Sequence, residues 1–362
     1  MKNNILFLSP SLRVGGAEKV LITLLNYLDR SKFNITLALV KCEGSFVSEL
    51  PKDIRVINFN SSRTRYIFLK FLKLVWSKKP DIVFSTLGHL NLLIILLRSF
   101  SPPKVKFMCR ETNIPSLVHK KKPSYKLYSF LYRNFYNYYD SIICQSEDMK
   151  NDLIERFNIP RSKITIINNP CDTKDINIKI ANNDKKFLYP TNKFNLLSVG
   201  SLNYQKGHDI LLNTIKSLND DRFHLTIIGE GVDKKSLKNL GKELNISSQV
   251  DFIGFKSNPY PYMHQADLFV LSSRYEGFPN VVLEAMACGI PIVAFDSPGG
   301  IAEILIDGIN GFSACYLDIE NFKDKILLAA KTTFYPKKII QSIESRYSIK
   351  KILPKYEKIL LK

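Results

Sequence analysis

The sequence predicts an α/β protein made of two doubly wound, parallel-sheet domains. Three observations carry this. The chain has 362 residues, too many for one ordinary core and about right for two. Short apolar runs alternate with amphipathic helical patterns, and this rhythm runs, pauses and restarts. The apolar runs are continuous, not alternating, as in a sheet covered on both faces.

In the first half, residues 5–8, 35–40, 54–59, 82–85, 105–109, 141–145 and 164–167 read as strands, with helices such as 17–28 and 64–76 between them. This is the βαβ rhythm. Residues 172–193 lack periodicity, contain Pro190 and read as a linker, so the first domain spans 1–171. A second domain over 194–336 has strands at 195–199, 223–228, 250–253, 267–271, 292–295 and 311–314. Helices at 209–218, 232–244, 280–287 and 322–330 separate them. Residues 337–362 read as a basic helical segment, broken at Pro354 and packing back toward the first domain. Two such sheets in one chain predict a ligand cleft between them, lined by loops that follow the carboxyl ends of strands.

Composition narrows the functional classes. Apolar residues make up 45% and charged residues 23%, as in a globular protein. The first apolar run, 5–8, is too short for a secretory signal or a membrane span, and so is the longest, 92–97. A cytoplasmic protein is expected. The six cysteines show no Cys-x-x-Cys pair and no accompanying histidine cluster, which argues against structural zinc. Residues 1–186 hold 31 Lys and Arg against 15 Asp and Glu, a net of +16, whereas 187–362 hold 21 against 18, a net of +3. A basic half attracts an anionic partner: nucleic acid, a membrane face or a phosphorylated substrate. No nucleic-acid-binding motif is visible, so no nucleic-acid partner is expected.

Chemistry is sought in the loops after strands. The first such loop carries Gly15-Gly16-Ala17-Glu18 and opens a helix. Its glycines suit either a plain turn or an anion cradle at a helix N-terminus. In the second domain Gly200-Ser201-Leu202-Asn203-Tyr204-Gln205-Lys206-Gly207 follows the first strand, placing Lys206 to meet a diphosphate, and Gly229-Glu230-Gly231 ends the next. The longest informative stretch runs from Ser272 to Ala294. Its loop carries Glu276, Pro279 suits the first turn of a helix that carries Glu284, and Gly289 stops that helix. One carboxylate on the loop and one on the helix can each grip hydroxyls of a polar ligand, and the loop amides can hold phosphate or sugar.

This stretch resembles the signature of the family-4 retaining glycosyltransferases, enzymes of GT-B fold, whose hallmark is a Glu, seven residues and a second Glu. Here those are Glu276 and Glu284. The resemblance extends to Gly15-Gly16-Ala17-Glu18, Asn168-Asn169-Pro170, Gln205-Lys206-Gly207, Gly299-Gly300 and Asp307-Gly308-x-Asn310-Gly311. It implies that Glu284 binds the ribose of a donor nucleotide. Glu276 and the amides of Gly277, Phe278, Asn280 and Val281 hold the donor sugar and phosphate. Lys206, helped by Gly15 and Gly16, neutralises the diphosphate, and the backbone at Gly254 and Phe255 holds the base. Lys206 and Glu276 are the implied catalytic pair, Glu276 acting in positioning and not as a covalent nucleophile. No metal and no cofactor are expected, the nucleotide-sugar, a UDP-sugar for choice, being a co-substrate. Other GT-B enzymes, a nucleotide-sugar epimerase or a soluble glycan synthase, remain the alternatives.

Two departures from the family pattern stand out. Ser201 occupies the position of a usual Arg, leaving Arg274 or Arg13 as substitutes for the missing charge. The strand end Cys109-Arg110-Glu111-Thr112-Asn113 lacks the family's histidine, and His89 and His119 nearby read as loop or surface residues. The acceptor is read from the first domain. Residues 63–73 are basic and amphipathic. Lys120-Lys121-Lys122 precedes Tyr125, Tyr128, Phe130, Tyr132, Phe135, Tyr136, Tyr138 and Tyr139. Basic clusters beside aromatics suit an anionic bilayer. The expectation is a lipid-linked or polysaccharide acceptor of bacterial surface-glycan assembly, with the protein peripheral on the cytoplasmic membrane face.

Overall fold

The computed structural model describes residues 2–120, 124–182 and 189–361. The chain divides into two compact units, one comprising Met1–Pro170 and Ile349–Lys362, the other Cys171–Ser348.

Among the described residues the first unit has seven parallel strands, β1 (Asn3–Ser9), β2 (Phe33–Leu39), β3 (Arg55–Asn58), β4 (Ile82–Thr86), β5 (Lys106–Arg110), β6 (Ser141–Cys144) and β7 (Ile164–Ile166), in the order β3-β2-β1-β4-β5-β6-β7. Every strand expected from the sequence is present. The continuous apolar runs arise because the central strands are buried on both faces: Ile5, Leu6, Phe7 and Leu8 are all at most 2% exposed. The order reverses between β1 and β4, so the loops after these two strands lie at the switch point of the sheet. Among the described residues, helices α1 (Gly16–Tyr27), α2 (Phe68–Lys78), α3 (Gly88–Leu96), α4 (Pro115–His119), α5 (Tyr125–Phe135) and α6 (Glu147–Phe157) follow its strands. The helix expected from residue 64 opens as a 3₁₀ turn over Thr64–Ile67 before α2 begins. The apolar run at 92–97 lies largely in α3, where Leu90, Leu92, Ile94 and Ile95 enter the core.

The second unit opens with α7 (Thr173–Ala181), and its described strands are β8 (Phe194–Val199), β9 (Phe223–Ile228), β10 (Val250–Gly254), β11 (Leu268–Leu271), β12 (Ile292–Phe295) and β13 (Gly311–Ala314), in the order β10-β9-β8-β11-β12-β13. Helices α8 (His208–Leu218), α9 (Lys234–Glu243), α10 (Tyr260–Gln265), α11 (Asn280–Ala287), α12 (Ile301–Ile304), α13 (Ile319–Lys331) and α14 (Pro336–Tyr347) complete it. The switch point falls between β8 and β11, which pair at Leu196↔Leu268 and Leu197↔Phe269. The loops that carry Lys206 and Glu276 are therefore neighbours by topology. A last helix, α15 (Ile349–Leu360), belongs to the first unit.

Three expectations need correction. The segment 172–193 is not a bare linker: its described part holds α7, capped by the Asp172 carboxylate on the Asp175 amide at 3.1 Å, with Ile176 buried. Asn258 donates to the Lys179 carbonyl at 2.7 Å, which ties this helix to the second unit. The final segment is split at Ser348, not at Pro354. Ser348 is extended and bridges to Cys171, whose amide donates to the Tyr347 carbonyl at 2.8 Å. Pro354 sits inside α15 on its exposed side, where a missing amide donor is tolerated because Ile352, Tyr356, Ile359 and Leu360 bury the opposite face. Consequently α14 belongs to the second unit and only α15 to the first.

Candidate active site

In the second unit, Lys206 and Glu276 meet. The Lys206 Nζ lies 2.6 Å from Glu276 Oε1, and the Ser273 hydroxyl donates to the same oxygen at 2.6 Å. Glu276 is only 6% exposed. Burial of a charged carboxylate is costly unless a counter-charge and hydrogen bonds accompany it. The Lys206 stem runs alongside Gly200: a Cβ there would stand 3.3 Å from its Cε.

The two loops are stitched together over their whole length. The Arg274 amide donates to the Gln205 carbonyl at 2.7 Å, the Gln205 side chain donates to the Tyr275 carbonyl at 3.1 Å, and the Ser272 hydroxyl reaches the Gly207 carbonyl at 2.9 Å. Close approach dictates two glycines. Gly207 has φ +64°, and a Cβ would lie 2.1 Å from the Ser272 carbonyl oxygen. Gly299 has φ +132°, with the Glu276 carbonyl oxygen 2.3 Å from where a Cβ would stand. The Glu276 amide donates to the Pro298 carbonyl at 2.9 Å, so the turn before Gly299-Gly300 braces the Glu276 loop from its other side.

Each loop leads into a helix, and the helix start supplies positive potential at the site. Lys206 and Gly207 precede α8, and Gly277, Phe278 and Pro279 precede α11. Pro279 is the cap residue, one position earlier than expected, and Asn280 and Val281 form the first turn. Glu284 follows one turn on and is half-buried. Gly289, at φ +84°, ends the helix as expected. Phe278 is buried and stacks edge-on with Tyr347, 5.4 Å between centroids. Ser201 is exposed in the loop after β8. Gly254 ends β10, the edge strand, and Phe255 follows it, half-exposed.

Neither candidate for the missing arginine charge is idle. Arg274 forms a bidentate pair with Asp209, at 2.9 and 2.6 Å, and Arg13 pairs with Glu43 at 2.5 Å. Gly15 and Gly16 open α1 in the first unit, with the Glu18 carboxyl folded beside Gly15. Burial pushes that carboxyl above its usual range, opposed by a backbone hydrogen bond and by the Arg110 charge.

At the strand end at 109–113, Arg110 and Glu111 are held by partners within the first unit. Arg110 is 2% exposed and donates to Asn169 Oδ1 at 2.6 Å. Glu111 is buried and accepts from Asn91 at 3.2 Å and from the Tyr132 and Tyr136 hydroxyls. Burial raises its carboxyl above the ordinary range, against those hydrogen bonds. His89 is exposed at the start of α3. The aromatic run at 125–139 divides: Tyr132, Tyr136 and Tyr139 are core residues, whereas Leu127, Phe130 and Tyr138 are exposed. Lys120 is exposed, and Lys121 and Lys122 lie outside the described residues.

Two family models match the chain, "Glycosyltransferase Family 4" over residues 14–175 and "Glycosyl transferases group 1" over 179–346. An N-acetylgalactosaminyltransferase of Campylobacter jejuni, named for an N-acetylgalactosamine-N,N'-diacetylbacillosaminyl-diphospho-undecaprenol substrate, is 32% identical over 308 residues, 82% of each chain. The chain belongs to the family-4 glycosyltransferases. An amylovoran biosynthesis glycosyltransferase of Erwinia amylovora is 24% identical over 85% of this chain and 84% of that protein. Among solved structures, HepE of Anabaena in complex with UDP-glucose (TM-score 0.76, 20% identity) and the lipopolysaccharide outer core galactosyltransferase WaaB (TM-score 0.73, 22% identity) each cover 99% of both chains. The fold is GT-B, and the protein is a glycosyltransferase.

Sequence reasoning missed Ser273, Asn203 and His208 in this glycosyltransferase. Asn203 caps the 3₁₀ turn over Tyr204–Lys206 by accepting from the Lys206 amide, and so fixes the lysine's backbone. His208, the first residue of α8, is 2% exposed. Burial, with help from the Lys206 charge, lowers its imidazole to about 4, so it is neutral beside the ion pair. An unfolded histidine titrates near 6.5. Between these values protons bind the unfolded chain in preference. The stability is therefore complete above about pH 6.5 and declines as pH falls toward 4. We expect the second unit to lose roughly 2 kcal/mol through this group between pH 7.5 and pH 5. Urea unfolding at the two pH values should show a smaller decline for His208→Leu than for the wild type, and an identical decline would refute the assignment.

Proposed function

We propose that the protein transfers a sugar from a UDP-sugar to a hydroxyl of a lipid-linked glycan in bacterial surface-polysaccharide assembly, with retention at the anomeric carbon and without a metal ion. The observation that carries this reading is the Lys206–Glu276 pair, set where two loops enter the N-termini of α8 and α11. The C–O bond between anomeric carbon and phosphate breaks, and its electron pair leaves with the diphosphate. The acceptor oxygen bonds the anomeric carbon on the same face, and its proton passes to a departing phosphate oxygen. Lys206 holds Glu276 with one of its three N–H donors, leaving others for the diphosphate. The helix-start amides add donors where the charge develops. Glu276 orients Lys206 and the donor sugar, and Glu284 takes the ribose hydroxyls. The names of the Campylobacter and Erwinia relatives support a surface-glycan acceptor, and the nucleotide in the Anabaena complex supports UDP.

The first unit supports a membrane-borne acceptor. Helix α2 buries Phe71 and Val75 but leaves Leu69 67% and Trp76 51% exposed. Tyr66, Leu127 and Phe130 are likewise exposed, among exposed Arg63, Arg65, Lys73 and Lys126. Apolar side chains among cations fit the headgroup region of an anionic leaflet. No described helix is long and apolar enough to cross a membrane, so the attachment proposed is peripheral.

Two outcomes test these readings. With excess EDTA present, the wild type should release UDP in the presence of acceptor. Glu284→Ala should weaken UDP binding at least about tenfold, the loss of a charged hydrogen bond, and Glu276→Ala should chiefly reduce kcat. Calorimetry and a coupled UDP assay read both, and full activity in both variants would remove the site. In a separate experiment, the protein should co-sediment with anionic vesicles at low salt and less so at high salt, since each basic residue near the surface contributes about 1 kcal/mol. Replacing Lys120, Lys121 and Lys122 by Ser, or Leu69 and Phe130 by Asn, should reduce the bound fraction. A wild type that stays in the supernatant would rule out membrane docking.

A further inference from the structure

Arg274 stands two residues before Glu276, and its fork is already occupied. Its NH1 and NH2 meet the two Asp209 carboxylate oxygens at 2.9 and 2.6 Å, and NH1 also donates to the Tyr204 carbonyl at 2.8 Å. The guanidinium lies 4.1 Å from the Tyr204 ring centroid. Its backbone amide donates to the Gln205 carbonyl at 2.7 Å, and its carbonyl accepts from the Tyr316 hydroxyl at 2.8 Å. The side chain is 14% exposed. A bidentate, stacked arginine is held in one plane and one direction. These contacts join the loop after β8, the loop after β11 and the segment after β13, on both sides of the Lys206–Glu276 pair.

We infer that Arg274 is a positioning residue of the donor site: locked by Asp209, it fixes the separation of the two loops and so holds Lys206 against Glu276, without contacting the diphosphate. The inference rests on the donor-site reading above. It assigns a different role from that of a substitute for the arginine replaced by Ser201. An end-on, two-pronged grip on the diphosphate would require Arg274 to release Asp209 and leave a carboxylate unpaired beside an anionic ligand.

The two roles separate experimentally in Arg274→Lys, Asp209→Asn and the double variant. A displacement of about 1 Å in catalytic groups costs up to roughly a hundredfold in rate. Each single variant should therefore lose about ten- to a hundredfold in kcat with little change in KM for the nucleotide-sugar. The double variant should be no worse than Arg274→Lys alone, because both changes break one clamp. Tyr316→Phe, which removes one hydroxyl and keeps the ring, should lose less, and it keeps the test open should the other variants fold poorly. Hydrogen exchange of the 200–207 amides in the ligand-free protein should quicken in Asp209→Asn. A raised KM in Arg274→Lys, with Asp209→Asn unchanged or improved in KM and normal in kcat, would mean that Arg274 binds the diphosphate itself and would overturn the inference. So would unchanged kcat together with unchanged exchange. A wild type that binds no UDP would defeat the donor reading instead, and the exchange data would still decide whether Arg274 ties the loops.

Discussion

A carboxylate buried as deeply as Glu276 imposes conditions on everything around it. Burying a carboxylate is costly unless a cation and hydrogen-bond donors accompany it. Lys206 and Ser273 meet those conditions through one oxygen. For Lys206 to arrive from another loop, that loop must pass close to the Ser272 carbonyl, which only a glycine at 207 permits. For the Glu276 backbone to turn inward, the chain at 299 must press against its carbonyl, again without a side chain. The spacing Gln205-Lys206-Gly207 and the pair Gly299-Gly300 thus serve one ion pair. The order of the sheet makes it possible, because β8 and β11 are adjacent although β9 and β10 lie between them in the chain.

The same pair limits how the site can manage charge. With Ser201 in place of an arginine and Arg274 engaged by Asp209, Lys206 is, among the described residues, a cation that the second unit sets beside the helix start of α8 and the Glu276 loop before α11. Glu276 offsets part of that charge before any ligand arrives. A donor diphosphate would then rely more on amide donors than on salt bridges. Amides aligned at a helix start are fixed in advance and need no rearrangement as charge builds on the leaving group.

Much of this was legible in the residues, and the reasons differ by element. The strands announced themselves because the buried parallel sheets demand continuous apolar runs, as at Ile5 to Leu8. The loop glycines were legible because close backbone approach constrains residue type, whereas the Glu276–Glu284 spacing was legible through its resemblance to the family signature. Helix α7 was hidden because its stabilisation is tertiary: Asp172 caps it, but only Thr173 and Ile176 are buried, among Lys and Asn that carry no periodicity. Pro354 misled because its cost depends on which side of the helix it occupies. The pairing of Arg274 with Asp209 could not be read, since nothing in the sequence places the loop after β11 against the first turn of α8.

The aromatic residues of the first unit show why exposure, and not composition, decides what a basic aromatic segment does. Tyr132, Tyr136 and Tyr139 look from the sequence like companions of the lysines at 120–122, yet all three are buried. Two of them give their hydroxyls to Glu111, and Tyr139 bonds the Asn91 carbonyl at 2.7 Å. A carboxyl in the core needs such donors, so those tyrosines are committed to the fold. What remains for an outside partner is narrower, and on the packed helices it includes Leu69, Trp76, Leu127 and Phe130. A soluble anion would use only the cations, whereas apolar side chains beside cations also suit a lipid surface. An anionic leaflet would use both, which is why we propose a lipid-borne acceptor over a free phosphorylated one.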